Sequence, residues 1–442
     1  MLRHVSQLGG MGNYTRQLMA AILRNDDANE YVMYYSPNER LGRYVGANVT
    51  ERVVRARSKL LWDQWAIPRQ AARDRVDLIF NPKRSVPLRS PVPSVFVLHG
   101  PEHFVVPSAY DPVDRLQARV LIPRYVRSAA AVILSTEDAK AMTCELIANT
   151  PEKIHVIRPA PDARFTQPVG ADQIAATRAK YGLPDRFMLF VGGLHRIKNF
   201  GRIAEALAAL RSRLGEAAPP LVAAGFLTTP YPEKGRSRWA VAREIAKIDE
   251  LGVRDLVHFP GYVEDDDLPV LYRLAELLLF PSLYEGFGFP VLEAQACGCP
   301  VVTSARGGTR EASGGAALLV DPYDTEAITG AILDLLSNPA TRQRLISAGH
   351  VNAAGWRWDD TAAAVIALFE HLVRRGSPLR CHARESSLRD QTSATGSSRL
   401  PMVAPASYQP LASLDDRCLA AASWTSKVLL RSFPGSESAA RG

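Results

Sequence analysis

The chain has 442 residues, 47% of them hydrophobic and 22% charged, which is enough for two domains of ordinary size and a tail and excludes a chain disordered throughout. No apolar run reaches the length of a transmembrane helix, and MLRHVSQLGG lacks the apolar core of a signal peptide. The net charge of +8 is uneven: residues 1–130 hold 19 Lys/Arg against 11 Asp/Glu, residues 131–375 hold 26 against 29, and residues 376–442 hold 8 against 5. The basic excess of the first segment suits an anionic membrane surface or a diphosphate-linked acceptor, and equally a plain solvated surface. No recognition motif or basic–aromatic interleaving points to nucleic acid. The five cysteines, at 144, 297, 299, 381 and 418, have neither disulfide nor metal spacing, so a reducing cytoplasm is expected.

In chain order, Gly9-Gly10-Met11-Gly12 precedes a helical spacing of Tyr14, Leu18, Ala21 and Ile22. A glycine loop feeding a helix is suited to cradle phosphate. The residues before Gly9 make a poor strand, because Leu2, Val5 and Leu8 are interrupted by Arg3, His4, Ser6 and Gln7. Either the natural product begins upstream, or the first domain lacks a central strand. Tyr31–Tyr35 reads as a strand, Arg52–Arg57 as another, and Leu60–Arg73 as a helix. Short buried strands follow at 77–82, 94–98, ending at His99-Gly100, and 130–135. The strand 154–159 precedes an interdomain crossing from Asp162 to Gly182.

Phe187–Gly193 reads as the first strand of a second domain. His195-Arg196-Ile197-Lys198-Asn199 follows, with Asn199 placed to cap a helix starting at Phe200. Arg196 and Lys198 then lie beside a positive helix end, a site for a diphosphate. Strands are expected at 221–225 and 257–263, and a helix begins at Asp266.

The stretch 277–308, LLLFPSLYEGFGFPVLEAQACGCPVVTSARGG, organises the rest. Leu277–Phe280 reads as a buried parallel strand that Pro281 ends. Gly286 and Gly288 stand among Phe287 and Phe289 in the following loop. Pro290 opens a helix through Glu293 to Gly298, and Cys299–Val302 starts the next strand. Ligands bind outside the carboxyl ends of parallel strands, and carboxylates accept hydrogen bonds from sugar hydroxyls. Glu285 in the loop and Glu293 in the first turn are thus placed to share one polyhydroxylated ligand. The strand 317–322, helices from Asp324 and Ala340, and an amphipathic helix at 362–373 complete the folded part. After Arg375 the composition turns to Ser, Arg and Pro, and 376–442 reads as a disordered tail. Within it, 411–433 shows some helical spacing.

The segment around Glu285 and Glu293 closely resembles the signature of the retaining, nucleotide-sugar-dependent glycosyltransferases of family 4. Related motifs extend from Gly9 to Trp358. The resemblance implies an α/β GT-B fold, two Rossmann-like doubly wound domains facing a cleft. Its parts would be an acceptor-side domain at 1–165, a nucleotide-sugar domain at 166–355 and a closing helix at 356–375 crossing back onto the first domain. It implies transfer of a hexose, with mannose from GDP-mannose favoured and UDP-hexoses close behind, to a glycan or lipid-linked acceptor in cell-surface polysaccharide synthesis. Configuration would be retained, with no cofactor beyond the donor. No DxD-like metal motif sits in a plausible site.

By resemblance, Glu285 lies beside the donor sugar and Glu293 holds the nucleotide ribose. His99 stands at the cleft, Gly10 and Gly12 face the diphosphate, and Lys198-Asn199 matches the family's Lys-Asn. The chain has Gly193 where the family often has Arg, so Arg196 is the candidate substitute. It has Gly100 where an Asp often follows the His. Two other readings stay open: a sugar-nucleotide epimerase of the same fold and a non-catalytic sugar-nucleotide-binding protein.

Overall fold

The computed structural model describes residues 9–37, 39, 42–225 and 237–376. The expectations for the segment before Gly9 and for 377–442 lie outside these residues. Among the described residues twelve strands, all parallel to their neighbours, fall into three sheets. β1 (Tyr31–Tyr35) pairs with β2 (Val49–Val53). β3 (Ile79–Asn81), β4 (Ser94–Val97), β5 (Ala131–Leu134) and β6 (Ile154–Val156) form a second sheet in that order. Among the described residues no strand joins the β1–β2 pair to the β3–β6 sheet.

The third sheet holds β7 (Met188–Val191), β8 (Leu221–Ala224), β9 (Val257–His258), β10 (Leu278–Phe280), β11 (Val301–Ser304) and β12 (Leu318–Val320). Its order is β12-β11-β10-β7-β8-β9. The order reverses between β7 and β10, where Leu278 pairs with Leu189. In a doubly wound sheet the loops leaving such neighbours diverge to opposite faces and open a crevice at their carboxyl ends.

Both faces of the third sheet are covered, which is why its strands read as unbroken apolar runs. Met188, Phe190 and Leu279 pack with Phe200, Ile203 and Leu207 of the helix Phe200–Leu214. Leu189, Leu278 and Phe280 face the other way, onto Tyr272, Val291 and Ala294. Cys297 and Cys299 are buried free thiols within that second layer.

In the N-terminal half, the helix Gly10–Asn25 buries Tyr14, Leu18 and Ile22 against Val95, Val97, Ala131 and Ile133. The same cluster takes in Trp358, Ala362, Val365 and Leu368 of the last helix, Trp358–Gly376. That helix therefore leaves the third sheet and packs on the N-terminal half, and Arg24 pairs with Asp359 where the two helices meet.

Several boundaries differ from expectation. The strand expected at 52–57 is β2, which ends at Val53: the ladder to β1 closes there and Arg55 and Arg57 are exposed. The helix expected from Asp266 starts at Leu268, with Pro269 in its first turn. The helix expected to reach Gly298 ends at Ala296, because Gly298 takes a left-handed φ of 74°.

Candidate functional site

The carboxyl ends of β4, β7 and β10 face one cavity of about 500 Å³ between the two halves. After β7 the chain runs through Gly192 and Gly193 into a short turn, Arg196–Lys198, and then Asn199 at φ 61°. Asn199 does not cap the next helix with its side chain. Its Nδ2 donates to the carbonyls of Pro281, at 3.0 Å, and Pro322, at 2.6 Å. The left-handed backbone aims the amide sideways, so Asn199 ties the turn after β7 to the ends of β10 and β12. That anchorage holds Lys198 at the cavity floor, its ammonium 4.6 Å above the centre of the Phe280 ring.

Lys198 Nζ donates to Glu285 Oε1 at 2.8 Å, and both side chains are largely shielded. Glu285 is held in place by its own backbone, since its carbonyl accepts from Gly308 N and the loop's Leu283 N donates to Ile197 O, each at 2.8 Å. Arg196 turns away. It is exposed and donates to the carbonyl of Ser108 in the N-terminal half at 3.0 Å, so it does not line the cavity. Arg196 is the candidate substitute for an arginine at Gly193, but it is not among the residues that line the cavity, and a Cβ at Gly193 would lie 3.0 Å from the His195 ring.

Gly286 and Gly288 precede the helix Phe289–Ala296, whose N-terminal end lines the cavity; Pro290 has no N–H, and Val291 N donates to the Gly288 carbonyl at 3.0 Å. Gly286 is glycine for a steric reason, because a Cβ there would fall on the carbonyl of His99. Gly288, at φ 117°, lies against Thr309. Phe287 and Phe289 meet edge to face at 4.9 Å, and both line the cavity. Glu293 is buried on the same helix and accepts from the Tyr272 hydroxyl at 2.8 Å. Burial pushes its carboxyl up to about 7, against the lowering effect of the Tyr272 hydrogen bond.

On the opposite wall His99 closes β4 with a φ of 66°, a conformation a histidine holds only where its surroundings impose it. Its Nε2 lies 2.8 Å from the Pro82 carbonyl, and its ring meets Tyr14 edge-on at 5.0 Å. Burial first, then the charges of Arg84 and Lys83, push its pKa down to about 3. The ring is neutral, so Nε2 carries the hydrogen that the carbonyl accepts and Nδ1 keeps a lone pair. Gly9, Gly10 and Met11 line the cavity. Gly12 does not: it is buried in the helix that starts at Gly10, about 200° round from it at 100° per residue.

Sequence reasoning missed Arg84, Glu102 and Tyr110, which line the same wall. Arg84 donates to Glu102 at 3.2 Å, while its Nε is buried with no hydrogen-bond partner among the described residues. Tyr110 stacks on His103 at 3.8 Å. Arg84 sits in the turn directly after β3, so the rule that ligands lie at strand carboxyl ends was the available signal.

The two halves also touch around the cavity. Thr136 Oγ1 donates to the Gly286 carbonyl at 3.0 Å and Tyr284 OH to Asp138 Oδ2 at 2.7 Å. The Glu311 carboxylate accepts from Glu137 N at 3.0 Å and Asp138 N at 2.6 Å, closing the start of the helix Glu137–Leu146. Arg16 pairs with Asp265 at 3.6 Å. Among the described residues no group of three or more His, Cys, Asp or Glu is arranged to hold a metal ion.

Two family profiles cover most of this frame. The one described as glycosyltransferase family 4 matches residues 8–165, and the one described as glycosyl transferases group 1 matches residues 173–351. The D-inositol 3-phosphate glycosyltransferase of Salinispora arenicola is 33% identical over 275 residues, 56% of this chain and 59% of that protein. The chain thus spans about three-fifths of that relative. The O-antigen chain mannosyltransferase B of Escherichia coli is 28% identical over 308 residues, 68% of this chain and 76% of that protein. Among solved structures, Anabaena HepE in complex with UDP and glucose superposes with a TM-score of 0.63 at 17% identity, covering 82% of this chain and 96% of that one. On these matches and on the two facing parallel-sheet halves, the chain belongs to the group 1, family 4 glycosyltransferases and has the GT-B fold.

Proposed function

We propose that the protein transfers a hexose from a nucleoside-diphosphate sugar to a glycan or lipid-linked acceptor in cell-surface polysaccharide synthesis, with retention of configuration. The observation that carries this reading is the convergence of Lys198, Glu285, Glu293 and His99 on one cavity at a topological switch point. HepE, of the same fold, was solved with UDP and glucose, and the Escherichia coli relative is a mannosyltransferase. Mannose from GDP-mannose is the donor we favour, with UDP-hexoses next.

In this reading the ribose hydroxyls donate to Glu293, and the diphosphate lies against Lys198 and the positive end of the helix Phe289–Ala296. Glu285 and the Nδ1 of His99 accept hydrogen bonds from the sugar. The bond between the anomeric carbon and the diphosphate oxygen breaks with its electron pair going to the phosphate. The acceptor oxygen bonds to the same face of that carbon, and its proton passes to the departing diphosphate. Lys198 and the positive end of that helix stabilise the charge that develops there, so no protein nucleophile and no metal ion is required. The protein works in the cytoplasm, at the inner face of the membrane when the acceptor is lipid-linked. No helix among the described residues is long and apolar enough to cross a membrane.

The test pairs binding with turnover. One of GDP, UDP and ADP should raise the melting temperature well above the others, and the matching sugar nucleotide should glycosylate acceptor in the presence of EDTA. An epimerised sugar nucleotide, or binding without any turnover across a panel of glycan and lipid-linked acceptors, would overturn the reading.

A further inference from the structure

The N-terminal half exposes two groups of large apolar side chains that one loop joins. In the helical run 59–74, Trp62, Ala66, Ile67 and Ala71 face the core, while Leu60, Leu61 and Trp65 face out. Trp65 is 58% exposed, and the Arg69 guanidinium lies 4.5 Å over its ring. In the helix Pro112–Ser128, Ala118, Ile122 and Tyr125 face the core. Val113, Leu116 and Val120 form an outward stripe, which Arg124 and Arg127 continue at helical spacing, and Leu116 is 63% exposed.

The loop 82–90 ties the two together. Gln64 donates to the Val86 carbonyl at 2.9 Å and accepts from Leu88 N at 2.8 Å. Val86 in turn packs with Ala118 and Ile122, and Leu88 itself is exposed. The surface is also basic. Residues 55–73 and 112–128 together hold nine Lys/Arg and two Asp/Glu, and one of those two, Asp63, is buried.

We propose that this face docks the protein on an anionic lipid bilayer. Scattered apolar side chains within a field of Arg and Lys suit a headgroup interface, where the apolar groups enter the acyl boundary and the cations meet lipid phosphates. The charge argues against an uncharged partner surface, and the basic excess argues against a second copy of the same face. The loop 82–90 also gives the docking a direction. Arg84 lines the cavity, and the exposed Leu88, whose N–H donates to Gln64 next to Trp65, is about 14 Å from it at most along the chain. If the transfer reading holds, a lipid-linked acceptor in the docked bilayer would reach the cleft from this side.

The experiment is sedimentation of the full chain with vesicles of phosphatidylcholine alone or mixed with phosphatidylglycerol, with no sugar nucleotide present. Binding to the anionic vesicles alone is expected, weakening as salt rises. The combined Leu61→Ser, Trp65→Ser and Leu116→Ser variant should reduce partitioning at least tenfold. The combined Arg119→Gln, Arg124→Gln and Arg127→Gln variant should reduce it similarly and flatten its salt dependence. Each variant should melt at the wild-type temperature, since every substituted side chain is exposed, and Val351→Ser in the other half should change nothing. Single Trp65→Ser and Leu116→Ser changes, each weakening binding a few-fold, answer any variant that misfolds.

Equal binding to neutral vesicles, no binding to either, or unchanged binding by the apolar variant would overturn the proposal. So would light scattering that shows a wild-type dimer made monomeric by the apolar variant. Turnover on a water-soluble acceptor should be unaffected by either combined variant, so the docking face and the transfer reading can fail separately.

Discussion

Lys198 and Glu285 are joined by a 2.8 Å ion pair at the cavity floor, the cation from the turn after β7 and the carboxylate from the loop after β10. With the cavity open, each satisfies the other in a place largely shielded from water, where an unpaired charge is costly. A donor diphosphate would share or take over Lys198 and leave Glu285 facing the sugar.

Two substitutions separate these roles. Lys198→Ala should weaken nucleoside diphosphate binding by about 1.5–3 kcal/mol, the usual range for a hydrogen bond to a charged group, and leave nucleoside binding nearly unchanged. Glu285→Gln should reduce turnover by at least an order of magnitude while diphosphate affinity holds or rises slightly, because Lys198 is released. Calorimetry and initial rates read both. Equal losses for nucleoside and diphosphate in Lys198→Ala would mean that the lysine supports the fold instead.

The sequence carried the floor of this site better than its walls. Glu285, Glu293 and the glycines between them lie within one loop and the first five residues of one helix, so their spacing alone brings them together. Lys198 was legible because it follows a recognisable strand by a short turn. Arg196 was not, because the direction of its side chain depends on Asn199, whose amide reaches carbonyls 82 and 123 residues away. Arg84, Glu102 and Tyr110 come from three separate segments that only the β3–β4 pairing and the loops after it bring together. Strand existence was readable from unbroken apolar runs. The end of β2 at Val53 was not, since a ladder stops where its partner stops.

Glu293 should make both stability and nucleotide binding depend on pH. Its folded-state pKa of about 7 lies above the ordinary 4.5, so between those values the native state binds more protons than the unfolded one. Stability contributed by the protonated carboxyl is fully present below pH 4.5 and is lost as pH rises through 7. Two and a half units correspond to about 3 kcal/mol. Glu293→Gln should remove that slope, and the difference between the two proteins' denaturation curves across pH 4.5–8 isolates it from other titrating groups. Nucleotide affinity should move the opposite way, since ribose hydroxyls need the ionised acceptor, and it should rise between pH 6 and 8. Tyr272→Phe removes a hydrogen bond that favours the ionised form, so the rise should shift to higher pH. Nucleotide affinity that is flat across this range would rule out the ribose assignment.

Closure of the two halves should depend on the absence of a side chain at Gly286. A Cβ there would coincide with the His99 carbonyl, and the Gly286 carbonyl is itself held by Thr136 from the opposite half. Neither contact belongs to a core cluster, so Gly286→Ala should leave each half folded and lower the melting temperature only slightly. The halves should no longer meet, and transfer should fall at least a hundredfold, because in the proposed reading His99 on one half and Glu285 on the other must reach one sugar together. Nucleotide affinity should fall far less, since Lys198 and Glu293 both belong to the second half. Glu311→Gln is the graded companion. The amide oxygen can still accept from one of the two N–H groups, but the amide nitrogen cannot accept from the other and the charge that favours this helix end is gone, so a loss of about tenfold in turnover is expected. Small-angle scattering with nucleotide bound should show a larger radius of gyration for Gly286→Ala than for the wild type. Unchanged scattering and turnover in Gly286→Ala would show that the two halves do not need this contact to work together.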